Sequence, residues 1–267
     1  RIIKKLISFK MFQRILLMGR KGDIYSKLLF LYIKNLSKSF KVIYSDRPKE
    51  RINKKIFNVP KSWYDYIICF RNFHILSENQ IKKSKYGAIN FHPGPPEYRG
   101  IGCVNYALYD DSKKYGVTAH LISKKIDYGK IINVKRLKIL KSDNVESLLK
   151  RTYSVQYQQA KKIIKLLSKN KKNLNILIYR SRKEKWTNKI KKRRDLNKFY
   201  EIKKNLSKKM FIRKFRATNT TIFKPYILLH KKRFILSDEE KQKKILIIGS
   251  GEHSKVILSE IIQIKGY

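Results

Sequence analysis

Three polar side chains carry types and spacing that suit one chemistry: Asn90 and His92, two residues apart, and Asp127 further along the chain. An amide can donate a hydrogen bond to an oxyanion forming on a carbonyl carbon, and such donors contribute about 10²–10³-fold in rate where measured. A histidine can accept or return a proton near neutral pH, worth about 10²–10⁴-fold. A carboxylate beside it can orient the imidazole, stabilise its charged form, or take a proton through water. None of the three is a Ser- or Cys-type nucleophile with a matching base. Together they suit direct attack by a substrate amine on an activated carbonyl, without a covalent enzyme intermediate. Spacing alone carries this inference only weakly.

These groups need a scaffold that brings them to one edge. The loop His92-Pro93-Gly94-Pro95-Pro96-Glu97-Tyr98-Arg99-Gly100 cannot be helix or sheet interior, because its prolines remove backbone donors and its glycines permit unusual backbone angles. A strand, Ala88–Phe91, leads into it, so Asn90 and His92 fall at a carboxyl edge, where open α/β sheets place ligands. Upstream, residues 14–19, 40–44 and 66–70 read as buried strands separated by helical patterns, which implies a parallel sheet. The first helix carries Ile24, Leu28, Leu29, Leu31, Ile33 and Leu36 on its apolar side, and another begins near Ser77. The turn Gly19-Arg20-Lys21-Gly22-Asp23 admits a phosphate site but reads better as a plain strand–helix turn. Downstream come a helix near 101–109, a strand at 116–122, the turn 124–129, and a strand from Lys130. A helix over 143–168, with Ser142 as N-cap, and a polar linker at 170–175 follow. His74 reads as structural or solvent-facing. His120, in a period-two pattern, reads as packing on a sheet face rather than reacting.

Composition bounds the rest. The chain has 267 residues, 42% of them hydrophobic and 12% aromatic, which argues for a globular protein and against disorder. Its formal net charge of +46 would attract nucleic acid, anionic headgroups or phosphorylated small substrates. Lysine is spread along the whole chain, however, so charge alone names no partner. Cys69 and Cys103 lack metal-ligand spacing and read as buried, reduced thiols of a cytoplasmic protein; no metal is expected. Lys10, Gln13 and Arg14 interrupt the apolar N-terminal run, and no small-residue cleavage site follows, against a signal peptide. No stretch reaches the length needed for stable membrane insertion, while peripheral attraction stays open.

The runs Asn90-Phe91-His92-Pro93…Arg99-Gly100, Gly116-Val117-Thr118-Ala119-His120 and Ile126-Asp127-Tyr128-Gly129-Lys130-Ile131-Ile132 resemble the formyltransferases that use 10-formyltetrahydrofolate. That family includes the glycinamide ribonucleotide, methionyl-tRNA and sugar-nucleotide enzymes. The resemblance covers about residues 12–168. It implies an α/β, Rossmann-like formyltransferase domain with a mostly parallel sheet flanked by helices, assigned to 11–169. It makes Asn90, His92 and Asp127 catalytic and 10-formyltetrahydrofolate the formyl-donor cosubstrate. The pterin would lie near Phe70, Arg71, Asn72, Phe73, Ile75 and Ile126, with Tyr98 and Arg99 toward a small anionic substrate.

The acceptor is implied less directly. The proline loop departs from the Ser/Leu-Leu-Pro form associated with the purine and tRNA enzymes. Residues 176–236, basic and aromatic, are similar to the small accessory region of sugar formyltransferases, including Trp186 and Arg216-Ala217-Thr218…Pro225. Residues 243–267 resemble the start of a sugar acyltransferase domain, read here as truncated. These features favour an amino-sugar nucleotide and surface-polysaccharide synthesis. Methionyl-tRNA formylation is the alternative, favoured by basic clusters at 191–194 and 203–216, and a non-catalytic basic RNA-binding protein is the second. Nucleic acid is a partner only under those alternatives, and a homodimer is left open.

Overall fold

Apolar residues on both sides of a strand require cover on both sides, and the fold supplies it. The computed structural model describes residues 12–46 and 54–236. In chain order these form β1 (Phe12–Arg20), α1 (Ile24–Lys34), β2 (Ser37–Ser45), α2 (Lys54–Phe57), β3 (Tyr66–Phe70), α3 (Glu78–Ile81), β4 (Ala88–His92) and α4 (Cys103–Tyr109). There follow β5 (Lys114–Leu121), β6 (Ile131–Lys138), α5 (Val145–Lys169), α6 (Asn173–Arg180), α7 (Arg193–Phe199), α8 (Lys208–Thr218), β7 (Tyr226–Leu229) and β8 (Lys232–Ile235). They fall into two units. The first takes residues up to 100, 114–138 and 150–189; the second takes 101–113, 139–149 and the residues from 190 on. Residues 176–189, expected in the accessory region, thus group with the sheet. Residues 243–267 lie outside the described residues.

In the first unit one sheet has the order β2-β1-β3-β4-β5-β6. β2, β1, β3 and β4 are parallel, as the alternating strand and helix pattern predicts. β5 then runs antiparallel to β4, and β6 antiparallel to β5. Ile15 and Leu17 of β1 join a cluster with Ile68, Phe70, Ile89 and Phe91, covered by Leu29 and Ile33 of α1 and Ala160, Ile163, Ile164 and Leu167 of α5. Leu16 and Met18 join the other cluster, with Ile67, Cys69, Phe57, Tyr64 and Leu76. This two-sided burial explains why the strands read as continuous apolar runs instead of alternating ones.

Helix ends differ from their predicted signals in instructive ways. Asp23 caps α1, its carboxylate accepting from Ser26 N–H at 2.8 Å, so the chain's own anion occupies the end considered for phosphate. Asn144, not Ser142, caps α5: its Oδ1 accepts from Ser147 N–H at 2.9 Å. The helix predicted to begin near Ser77 does so, and Ser77 caps α3 through a reciprocal bond with Gln80. The expected linker at 170–175 is cut short by α6, because Asn173 Nδ2 donates to Leu166 O at 2.7 Å and Leu174 is buried. Cys69 and Cys103 are buried free thiols, and burial pushes the Cys69 thiol up to about 12.

In the second unit Ile202, Ile227, Leu229 and Phe234 form a small core with Phe211 and Phe215. Asn105 of α4 donates to Ala217 O at 2.7 Å. Several cations here lie against the unit's own rings and carbonyls. Lys214 lies 3.3 Å from the Phe199 ring centroid, Arg233 3.6 Å from Tyr226 and Lys191 4.6 Å from Tyr106. Arg216 donates to the Asp143 and Leu140 carbonyls. No helix of the described residues is long and apolar enough to cross a membrane.

Candidate active site

The strand period places Asn90 and His92 on one face of β4, whose last residue is His92. The antiparallel register sets His120 of β5 directly opposite Asn90, so all three side chains share that face. The carbonyls of the proline loop are held by β5: Thr118 Oγ1 donates to Gly94 O and Tyr115 Oη to Pro93 O, both at 2.8 Å. From the other side Gln156 Nε2 donates to the carbonyl of Phe91, between the two site residues. Sheet, loop and helix therefore fix this end of β4.

Asp127 sits in the turn between β5 and β6 with φ 46°, a left-handed angle that costs a non-glycine residue free energy. Arg99 holds it there, its Nε and Nη2 donating to Ile126 O at 2.9 and 2.6 Å. The guanidinium also lies 4.4 Å from the Tyr128 ring centroid. Arg99, predicted to meet the substrate, is instead buried and committed to the turn; its rigid fork matches a carbonyl that the backbone leaves open. At Gly129 an added Cβ would lie 1.7 Å from Leu121 O, so only glycine lets the turn return against β5.

The polar groups converge. Asp127 Oδ2 lies 3.5 Å from His92 Nδ1, and its Oδ1 lies 3.6 Å from His120 Nε2 and 3.4 Å from Asn90 Nδ2. Asn90 Nδ2 is also 3.1 Å from His120 Nε2. His120 Nδ1 is 2.8 Å from Leu121 O; a carbonyl only accepts, so that nitrogen carries a proton. His92 Nε2 faces Tyr98 O at 3.3 Å and its Nδ1 faces the carboxylate, so both nitrogens can donate, which suits the imidazolium. Burial by itself would raise the Asp127 carboxyl. The charge of His92, the hydrogen bond and charge of His120, and the Arg99 guanidinium outweigh it and hold the carboxyl at about 2. The cluster is thus an ionised carboxylate between two imidazoles, with an amide donor beside it.

Sequence reasoning missed two members. His120 does pack on a sheet face, as predicted, but that face is the site's own. Its 2% exposure and its register opposite Asn90 follow from strand pairing that no local pattern reveals. Trp186 lies with its ring centroid 5.0 Å from that of His120 and 6.0 Å from that of His92, in both cases near-perpendicular.

The predicted cofactor residues divide. Phe70 is buried in the core against Phe91, so only its backbone can face a ligand. Arg71, at φ 56°, turns inward to Asp23 at 3.2 Å and lies 3.3 Å from the Tyr153 ring centroid. Phe73 is fixed by its N–H on Ser45 Oγ at 3.0 Å. Asn72 is half-buried beside Cys69. Ile75 and Ile126 present apolar side chains to solvent, 73% and 48% exposed. Tyr98 is half-buried, its ring 6.3 Å from that of Tyr115. Among the described residues no His, Cys, Asp and Glu group suits a metal.

Comparison with known proteins places this geometry in a family context. Residues 44–160 match the formyl transferase family model. The bifunctional polymyxin resistance protein ArnA of Wigglesworthia glossinidia brevipalpis is 33% identical over 150 residues, 51% of this chain and 23% of that protein. A methionyl-tRNA formyltransferase of Listeria welshimeri is 34% identical over 85 residues, 32% of this chain and 27% of its own length. The matched stretches thus span about a quarter of these relatives. A likely sugar N-formyltransferase from Mycobacterium tuberculosis shares the fold with a TM-score of 0.60 at 16% identity, over 90% of this chain and 100% of that one. An N-formyltransferase from Helicobacter canadensis, in complex with folinic acid and dTDP-3-aminofucose, does so with 0.60 at 16%, over 90% and 91%.

Proposed function

We propose that this chain, through its formyl transferase domain, moves the formyl group of 10-formyltetrahydrofolate to the primary amine of an amino-sugar nucleotide, for surface-polysaccharide synthesis. The observation that carries the reading is the convergence of Asn90, His92 and Asp127 at the end of β4. Ile75 on the loop after β3 and Ile126 on the Asp127 turn are the exposed apolar side chains that fit a flat pterin. When bound, the cosubstrate supplies the formyl carbon that the amine attacks. Asn90 Nδ2 and the Nε2–H of protonated His92, which rests on Tyr98 O at 3.3 Å until the formyl oxygen replaces it, donate to the negative charge that develops on that oxygen. Asp127, ionised throughout the neutral range, keeps His92 charged and helps draw the proton from the attacking amine, directly or through water; that proton passes to the folate nitrogen as its bond to the formyl carbon breaks and the carbonyl re-forms.

A sugar nucleotide is favoured over tRNA by the proline loop and by the fold shared with structures such as the Helicobacter canadensis enzyme. Several cations of the basic clusters are also engaged with the protein's own rings and carbonyls, leaving fewer for RNA. The test is an assay of the purified protein with 10-formyltetrahydrofolate against dTDP-linked amino sugars and charged initiator tRNA. Formylation of a sugar amine is expected; formylation of the tRNA and of no sugar would overturn the reading.

A further inference from the structure

We infer that Trp186 is a positioning residue, carried on a strap over residues 181–189, that sets the orientation of both imidazoles of the site. The inference deepens the formyl-transfer reading and rests on it for its kinetic consequence. Residues 181–189 contain no helix or strand, so their course is fixed by their ties. Those ties are many and lead to the elements that carry the site. Ser181 Oγ donates to Ile132 O at 2.9 Å, anchoring the strap to β6. Arg136 of β6 bonds Glu184 at 2.7 Å and, through its other terminal nitrogen, Glu97 of the proline loop at 2.8 Å. Thr187 N–H donates to Pro96 O at 3.0 Å. Tyr128 Oη donates to Asn188 Oδ1 at 3.3 Å, and Trp186 Nε1 donates to Gly129 O at 2.8 Å. The strap is thereby joined to the loop after His92 and to the two residues after Asp127.

Between these ties the indole meets both imidazoles edge to face, at interplanar angles of 85° to His120 and 69° to His92. Perpendicular ring pairs are attractive beyond their buried area. A ring so placed also stops either imidazole from turning about its Cβ–Cγ bond. The nitrogens of His92 and His120 are then kept on Asp127, Asn90 and their backbone carbonyls. Displacement of a catalytic group by about 1 Å can cost about 100-fold in rate, so the orientation that Trp186 imposes on the imidazoles governs turnover.

The experiment compares Trp186→Leu, Trp186→Phe and Asn188→Ala with the unaltered protein, using 10-formyltetrahydrofolate and a dTDP-linked amino sugar. Trp186→Leu is expected to lower kcat about 10–100-fold with KM for the folate within about two-fold. Trp186→Phe, which keeps a ring but loses the tie to Gly129, falls between. Asn188→Ala cuts one exposed tie, leaves folding intact, and is expected to lower kcat about two- to five-fold. Wild-type kcat in Trp186→Leu, or equal losses in the Leu and Phe variants, overturns the inference; if Trp186→Leu does not fold, wild-type kcat in both other variants does so. A second measurement needs no turnover: the imidazole Hε1 signals of His92 and His120 in NMR spectra. Both are expected to shift in Trp186→Phe, and unchanged signals overturn the inference. Absence of transfer to any amine by the unaltered protein would sink the reaction and leave this spectroscopic test standing.

Discussion

At the scale of single residues, the site is an electrostatic cluster whose members cannot be exchanged for near relatives. His92→Ala is expected to abolish turnover while folate binding, followed by fluorescence quenching, remains measurable; near-normal activity would remove His92 from the mechanism. Asp127→Asn should lower kcat about 10²–10³-fold. Its effect on stability has a definite sign. The folded carboxyl is held at about 2, below its usual value, so the folded state binds its proton less readily than the unfolded chain. The resulting stabilisation, on the order of 2 kcal/mol, is fully present above about pH 4 and is lost as pH falls toward 2. Acid titration of wild type and Asp127→Asn by circular dichroism checks this: the gap between them should close over that range. Much at this scale was legible in the sequence, because Asn90 and His92 need only a strand period to share a face. His120 and Arg99 were misjudged for one reason. The first acquires its neighbours through cross-strand register, and the second through a turn that folds back onto it.

At the scale of elements, two packing constraints give further tests. Gly129→Ala would drive a Cβ into Leu121 O, which belongs to backbone and cannot swing aside. The β5–β6 turn must then shift, and destabilisation of about 3 kcal/mol or more is expected in urea titration, with activity lost as Asp127 moves. In the second unit, desolvation lowers the ammonium of Lys214 to about 8, although Glu201 opposes the shift. Here the folded state gives up its proton more readily, so the buried charge costs stability below about pH 8. That cost disappears as pH rises to about 10.5, where the unfolded lysine is neutral too. Lys214→Met should therefore raise stability by on the order of 1–2 kcal/mol at pH 7 and by little at pH 10.5. An unchanged difference between those pH values would remove the charge as its cause. Strands β1, β3 and β4 and the helix start near Ser77 could be read directly, since local pattern decides them. The cap at Asn144 and the early start of α6 could not, because rival polar residues stand side by side in each stretch and tertiary packing selects among them.

At the scale of the whole molecule, the chain carries a formal net charge of +46, and the substrates proposed for it are anionic. Long-range attraction of that kind is screened by salt, with a Debye length of about 10 Å at 0.1 M and 3 Å at 1 M. The KM for a dTDP-linked amino sugar should accordingly rise several-fold between about 50 and 500 mM salt with kcat little changed. A flat KM would show that the charge plays no part in recruitment. The charge was plain in the composition, but its local engagement was not: Lys214 with Phe199, or Arg216 with two carbonyls, needs the fold to bring partners together. The strap of residues 181–189 carries one more consequence, in time instead of space. Its tie from Trp186 to Gly129 spans 57 residues, and the bond from Asn90 to Asp127 spans 37. Loops of that length close only after both ends exist. During synthesis the four parallel strands emerge first, then the Asp127 turn, then the α5 residues that cover the sheet, and the indole last, so Asn90, His92 and Asp127 all leave the ribosome before the ring that we infer orients the imidazoles.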